Sequence, residues 1–465
     1  MQSVEYRTAG ALALGLGGLV VAASMLMSQQ RPADAVPAFA AQTGQPCTAC
    51  HIGGFGPQLT PFGRAFKIGG YTQGGGSGWQ AHMPLSGMLE GSFTKNNLAP
   101  PITNGNSDYS SNQNFVFDQA SIFVAGRVTD HTGGFMQFTY SNYDNRAGGN
   151  GLSVDNSDLR PYTTTFQLFG NDLEVGLSIN NNPTVQDPFN STFAWGYPFY
   201  GPKIAPGPSA GTLLSGSAAN GPAMAGNSIG VTAYAWYNEH LYLEAGGYQT
   251  MSSWLENRFG VSGGPITPGI APYLRAAYEW DWGNNAAWVG GTFMHANIDP
   301  QFGMGLDSYT DYGIDGGYQF LGDGTHIVTV QGIFVHEQQD LKGSAANYNN
   351  GAPPSAVGAG YGLNSINMNA AYWYKNTYGV TLAWQSIWGS DNLPLYGTLN
   401  AKGSPDSNDF TIEADWVPFG KDKSLWRPWA NLKLGAAYTW YTKLDGVNQG
   451  VGNNNTFYVF AWTAF

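Results

Sequence analysis

From Leu85 to Lys443 apolar and polar residues exchange at every second position, in one short run after another, while the last run, 457–465, is apolar on both faces. Period two is the signature of a β-strand whose faces meet different surroundings. The runs predict strands at 85–95, 113–129, 132–142, 161–169, 171–180, 228–238, 240–250, 271–280, 285–297, 308–320, 325–336, 360–375, 377–388, 408–417, 430–443 and 455–465, sixteen in all. In 430–443, Leu432, Leu434, Ala436, Tyr438 and Trp440 share one side, and Asn431, Lys433, Gly435, Thr439, Tyr441 and Lys443 the other. In 271–280, Leu274, Ala276, Tyr278 and Trp280 oppose Arg275, Ala277 and Glu279. Lipid outside and a polar interior would explain this, and so would a soluble sandwich. Charged residues are 11 % of the chain, against about 25 % in an ordinary soluble domain, and there are 15 Trp and 26 Tyr. Trp280, Trp416 and Trp440, near strand ends, favour an aromatic girdle at a membrane surface. The formal charge of -12 disfavours nucleic acid, whose phosphates need a cationic face.

The connections alternate as well. Tight ones at 130–131, 170, 239, 281–284, 321–324 and 376 take turns with long ones at 96–112, 143–160, 181–227, 251–270, 337–359 and 389–407. An outer-membrane barrel has short periplasmic turns and longer outer loops. An even strand number returns both ends to the periplasmic side. The fold class expected is all-β: a sixteen-stranded antiparallel transmembrane outer-membrane barrel, porin-like, over 84–465, behind a small N-terminal c-type haem segment at 36–83. No amphipathic helix is predicted after residue 85. The segment 181–227, rich in Pro, Gly, Ser and Ala, reads either as folded over or into the pore mouth or as disordered.

Residues 1–35 read as a signal peptide, with an apolar stretch at 9–27 and small-residue cleavage sites after 35 or 40. A retained transmembrane anchor is the rival reading.

The only two cysteines lie in Cys47-Thr48-Ala49-Cys50-His51. Cys-x-x-Cys-His is the attachment signature of c-type haem. Both thiols would form thioethers to one covalently bound haem c, and His51 would be the proximal iron ligand. A thioredoxin-like redox pair and a plain disulfide compete, and zinc lacks a second ligand pair. Downstream, Thr60 and Pro61 read as the cap and first residue of a short helix whose Phe62, Phe66 and Ile68 pack on porphyrin or barrel wall. Arg64 and Lys67 are candidate partners of haem propionates, or else solvated surface charges. Candidate distal ligands are His82, Met83 and Met88; an open site is the alternative. Met88, Glu90, Arg127, Glu174, Glu244, Arg275, Glu279, Glu413 and Lys433 are predicted to point into the barrel.

Residues 37–88 resemble the fused outer-membrane monohaem cytochrome c–porins, a family that includes the outer-membrane iron(II)-oxidising cytochromes. The likeness runs through Pro37-Ala38-Phe39-Ala40, Gln42-Thr43-Gly44, the Cys47–His51 motif, Leu59-Thr60-Pro61-Phe62-Gly63-Arg64, Phe66-Lys67-Ile68-Gly69-Gly70-Tyr71 and Pro84-Leu85-Ser86-Gly87-Met88. The family pattern usually has Asn where this chain has Gly69. The resemblance implies single electrons taken from an extracellular donor, ferrous iron first among candidates, and passed to a periplasmic cytochrome c or copper protein. Such a protein would be an iron(II):cytochrome c oxidoreductase. The alternatives are a solute porin with a haem-bearing plug or redox gate, and a soluble periplasmic cytochrome with a β-rich module.

Overall fold

In the computed structural model sixteen antiparallel strands close into a barrel. They are β1 (Leu85–Lys95), β2 (Gln113–Arg127), β3 (Gly133–Ser141), β4 (Leu152–Leu168), β5 (Asn171–Asn180), β6 (Ser228–Tyr237), β7 (Leu241–Thr250), β8 (Ala271–Trp282), β9 (Asn285–Ile298), β10 (Asp307–Phe320), β11 (His326–Leu341), β12 (Gly360–Tyr374), β13 (Tyr378–Gly389), β14 (Ser407–Trp416), β15 (Asn431–Lys443) and β16 (Thr456–Ala464). The structure describes residues 38–78, 82–98, 102–103, 106–107, 113–141, 152–200, 205–215, 221–222, 224–260, 266–351, 357–424, 426 and 430–465; the expected signal peptide lies outside them.

Each strand pairs with its chain neighbours, and β1 closes on β16 from Met88–Ala464 to Lys95–Phe457. Closure satisfies backbone groups that lipid could not. Exposed apolar side chains such as Ile122, Val231, Leu274, Ile314 and Leu382 point outward. Trp280, Trp416 and Tyr378 ring the short-turn end, while Trp388 and Trp440 stand toward the other. A closed cylinder that is apolar outside and polar inside is the architecture of an outer-membrane barrel.

The clearest departure from expectation is β4, which starts at Leu152, inside the stretch predicted as a long connection. Its ladder with β5 shifts register between Leu159 and Tyr162. Pro161 has no N–H to donate, so it sits at the irregularity, and the strand continues on both sides of it. Likewise β11 runs on to Leu341. Short helices also occur in the long connections, at Ser253–Phe259 and Lys342–Gly351.

The lumen is filled from two directions. At the short-turn end lies an N-terminal plug: α1 (Ala38–Thr43), α2 (Cys47–Cys50), a 3-10 turn at Ile52–Gly54 and α3 (Pro61–Ile68). Above it, parts of the long β5–β6 connection fold inward. Thr184, Val185, Gln186, Asp187 and Phe189 are fully buried. Asp187 pairs with Arg275 of β8 at 2.9 Å, and Ser191 donates to Asp315 of β10 at 2.7 Å. Farther along, Tyr197 donates to Glu413 of β14, Tyr200 to Asp118 of β2, and the Leu213 and Leu214 amides to Glu337 and Asp311. The segment therefore crosses the lumen and is tied to strands around most of the wall. Of the residues expected to point inward, Arg127 instead stands exposed at the rim, near Asp130.

Candidate functional site: the Cys47–His51 turn

Four residues of helix hold Cys47 and Cys50 three positions apart, so both thiols lie on one face. No disulfide joins them. The His51 amide donates to the Cys47 carbonyl at 2.9 Å and ends the turn. Thr60 then fastens this turn to α3. Its hydroxyl donates to the Ala49 carbonyl and accepts from the Gly63 amide at 3.1 Å, while its own amide donates to the Cys50 carbonyl at 2.9 Å. The expected cap at Thr60, with Pro61 in the first turn, is in place. Gly63 packs against Cys50, and any side chain there would run into the Cys50 carbonyl oxygen.

The wall positions the turn from the other side. The Thr48 amide donates to the Gly420 carbonyl at 3.2 Å, Asn376 accepts from the Gly53 amide at 2.8 Å, and Asn431 donates to the Gly54 carbonyl at 2.6 Å. Gly53 has φ +69° and lies under the Trp373 ring, where no side chain would fit. Ile52 packs with Ile327, Trp373 and Val417, and Phe55 meets Trp462 edge-on at 4.9 Å.

The titratable groups have a definite character. Burial pushes the Cys50 thiol up to about 12, and Cys47 adds to the effect. Burial pushes the His51 imidazole down to about 4, with the Gly56 backbone acting the other way. His51 is therefore neutral at ordinary pH, and its buried Nδ1 has no hydrogen-bond partner.

Arg64 and Lys67 are not surface charges. Arg64 is buried, pairs with Glu279 of β8, and donates to Gln319 at 3.0 Å and the Leu59 carbonyl at 2.8 Å. Its guanidinium lies 5.1 Å from the Trp288 ring centroid. Lys67 is buried and donates to the Val185 and Asp187 carbonyls and to Asn190 Oδ1, at 2.7–2.8 Å. Burial brings its ammonium down to about 7, against Asp158, which pulls it up. Arg64 thus ties plug to wall, Lys67 ties plug to inward loop, and a propionate would have to displace these partners. Ile68 packs on the wall beside Tyr234, Tyr242 and Trp288, while Phe66 meets Phe39 and Tyr71.

The three distal-ligand candidates fall in different places. His82 is exposed and Met83 half-buried, both before β1. Met88 is buried on the inner face of β1. It pairs with Ala464, and the next inward pair is Glu90 with Trp462, the ring that Phe55 touches. Among the described residues no three His, Cys, Asp or Glu side chains converge as a metal cluster. Sequence reasoning missed Asn376, Asn431, Trp373 and Gln319, for which only the closed barrel supplies proximity to the plug.

No family model and no curated protein matches the chain. Solved structures with a similar fold include the outer-membrane channel DcaP of Acinetobacter baumannii, at 13 % identity and TM-score 0.45, covering 82 % of this chain and 96 % of that one. The anion-selective porin from Comamonas acidovorans gives 13 % and 0.44 over 82 % and 98 %, and a loop-deleted OmpT of Vibrio cholerae gives 11 % and 0.43 over 82 % and 98 %. The likeness is one of fold. At such identities it carries no activity across.

Proposed function

We propose that this chain is an outer-membrane electron-transfer protein: one haem c on the lumenal plug accepts single electrons from an extracellular donor, with ferrous iron the leading candidate, and a periplasmic cytochrome c or copper protein takes them away. The observation that carries the reading is the Cys47–His51 turn itself, braced by α3 on one side and by the barrel on the other, with a neutral imidazole directly after the second cysteine. These residues fit a c-type haem. Cys47 and Cys50 would hold it through thioethers, and His51 would ligate its iron. Ile52, Phe55 and Trp373 supply apolar surroundings. Bound there, the haem supplies a one-electron redox centre. Met88 is the best placed of the distal candidates, being buried, inward and one pair from Trp462. An iron(II):cytochrome c oxidoreductase activity belongs to the same reading.

The second reading, a solute porin with a haem-bearing plug, draws support from the polar inner wall of the sixteen-stranded barrel. The closed barrel backs this second reading more directly than the first, and the inward segment 181–200, anchored to β8, β10 and β14, would set the width of its bore. Two measurements on the detergent-purified protein separate the readings. Electron transfer predicts an acid-stable haem band, lost in Cys47→Ser/Cys50→Ser, and α-band growth on stopped-flow mixing with ferrous iron. The porin reading predicts steady solute conductance in planar bilayers and an α-band that ferrous iron leaves unchanged.

A further inference from the structure

The plug sits at the short-turn end, with residues 181–200 and 205–215 between it and the long loops. A donor at the outer mouth is thus held away from the Cys47–His51 turn, and electron tunnelling falls exponentially with distance. One file of aromatic rings spans part of that gap. It begins at Phe55, four residues beyond His51, which meets Trp462 at 4.9 Å between centroids. Trp462 lies 6.4 Å from Tyr200 of the inward segment. Tyr200 stacks on Phe460 at 4.4 Å and lies 6.2 Å from Tyr458. Tyr200, Phe460 and Tyr458 are all at most 3 % exposed. Trp462, Phe460 and Tyr458 occupy successive inward positions of β16, so the file climbs about 13 Å along the strand, at ~3.3 Å per residue. Higher on the same inner wall stands Tyr441, whose hydroxyl donates to the Pro206 carbonyl.

The rings are fixed rather than loosely packed. Tyr200 donates to Asp118, and Tyr458 donates to the Tyr200 carbonyl at 3.1 Å. The Lys433 ammonium lies 5.6 Å from the Phe460 ring. A second lumenal aromatic group behaves differently. Phe189, Tyr234, Tyr242 and Trp288 gather around Ile68 of the plug, and Tyr234, Tyr242 and Trp288 lie within four residues of the short-turn ends of β6, β7 and β9. That group braces the plug at its own level and does not climb.

Resting on the electron-transfer reading, we propose that Trp462, Tyr200, Phe460 and Tyr458 are the tunnelling path between the long-loop end of the barrel and the haem-attachment turn. A haem held by Cys47, Cys50 and His51 would be the one-electron acceptor: one electron from an external one-electron donor would cross the rings to it, and the periplasmic carrier named above would take that electron on. The rings serve as the dense medium, and none is itself oxidised or loses a proton.

The test uses the full-length haem-loaded protein in vesicles of known orientation, with ferrous iron or hexaammineruthenium(II) on one side. Tyr200→Leu and Trp462→Leu should keep the covalent haem band and full reduction by dithionite. Reduction from the long-loop side should slow by an order of magnitude or more, while reduction from the plug side keeps the wild-type rate. Tyr273→Leu, an inner-wall aromatic elsewhere on the barrel, should leave both rates alone. If the Trp462 variant fails to assemble, the Tyr200 variant, on a loop rather than the wall, probes the same step. Wild-type rates from the long-loop side in variants with intact haem overturn the path alone. A wild-type protein with no covalent haem overturns the electron-transfer reading and the path with it.

Discussion

Leu274 and Arg275 are neighbours in sequence and belong to two different materials. Leu274 is half exposed on the lipid face of β8, where nothing but apolar surface is asked of it. Arg275 points inward, is fully buried, and holds Asp187 of the inward segment at 2.9 Å and Asp315 of β10 at 2.7 Å. The wall is specified by alternation and neighbouring-strand ladders, with each exchange of residue type felt locally. The lumen is specified by long-range ion pairs and hydrogen bonds, where one side chain can hold a whole segment. Stability of the cylinder and closure of its bore should therefore be separable by mutation.

The largest effect is expected from Arg275→Met. Two carboxylates would be left buried without their cation, a loss of about 3–5 kcal/mol in the seating of the inward segment. Limited proteolysis should cut within 181–200, and bilayer conductance should rise. The heat-modifiable mobility of the barrel on gels should stay near wild type. A barrel that unfolds while the segment stays protected would break the division between wall and lumen. Next comes Leu274→Arg, which puts a charge on the lipid face at about 2–4 kcal/mol near the bilayer midplane and less toward an interface. Here the order reverses: the unfolding midpoint of the barrel should fall, with protease protection of the folded fraction unchanged.

The third is Lys67→Met, which removes the ammonium shared by the Val185 and Asp187 carbonyls and Asn190 Oδ1. Leaving such acceptors buried and unsatisfied costs about 1–3 kcal/mol, and plug and inward segment should loosen together. The wild-type pH dependence has a definite sign. Lys67 is held near 7 in the docked plug, below its ordinary 10.5. Between those values the undocked plug binds the extra proton, so docking strengthens as pH rises from 7 toward 10.5. The same titration on Lys67→Met should be flatter, as read by hydrogen exchange at α3.

The two materials also differed in how far they could be read in advance. Period two located the wall because most strands carry their own faces, as 431–443 does with Leu432 and Leu434 outside and Asn431 and Lys433 inside. It missed the first half of β4, where Pro161 and a register shift interrupt the alternation. The Cys47–His51 motif and the Thr60 cap were legible because their chemistry lies within a few residues. The rest of the lumen was not. Arg64 meets Glu279 across 215 positions of sequence, and Lys67 meets Asn190 across 123. Nothing in the composition of 181–227 distinguishes a disordered loop from one pinned by Asp187, Tyr197 and Tyr200. Only closure of the cylinder brings such partners together.

The smallest expected effect tests the join between motif and plug. Thr60→Ala removes a helix cap, about 1 kcal/mol of α3, but it also removes the hydroxyl that donates to the Ala49 carbonyl between the two cysteines. Thr60→Ser keeps both bonds. If the hydroxyl only caps α3, the alanine variant should lower plug protection slightly and leave every property of the Cys47–His51 turn alone. If it also sets the pose of that turn, the alanine variant should shift the α-band of the proposed haem and the serine variant should restore it. The second outcome is expected, because the Thr60 amide already donates to the Cys50 carbonyl and Gly63 leaves no slack between the two helices. A local change at the cap therefore has little room to be absorbed before it reaches the cysteines.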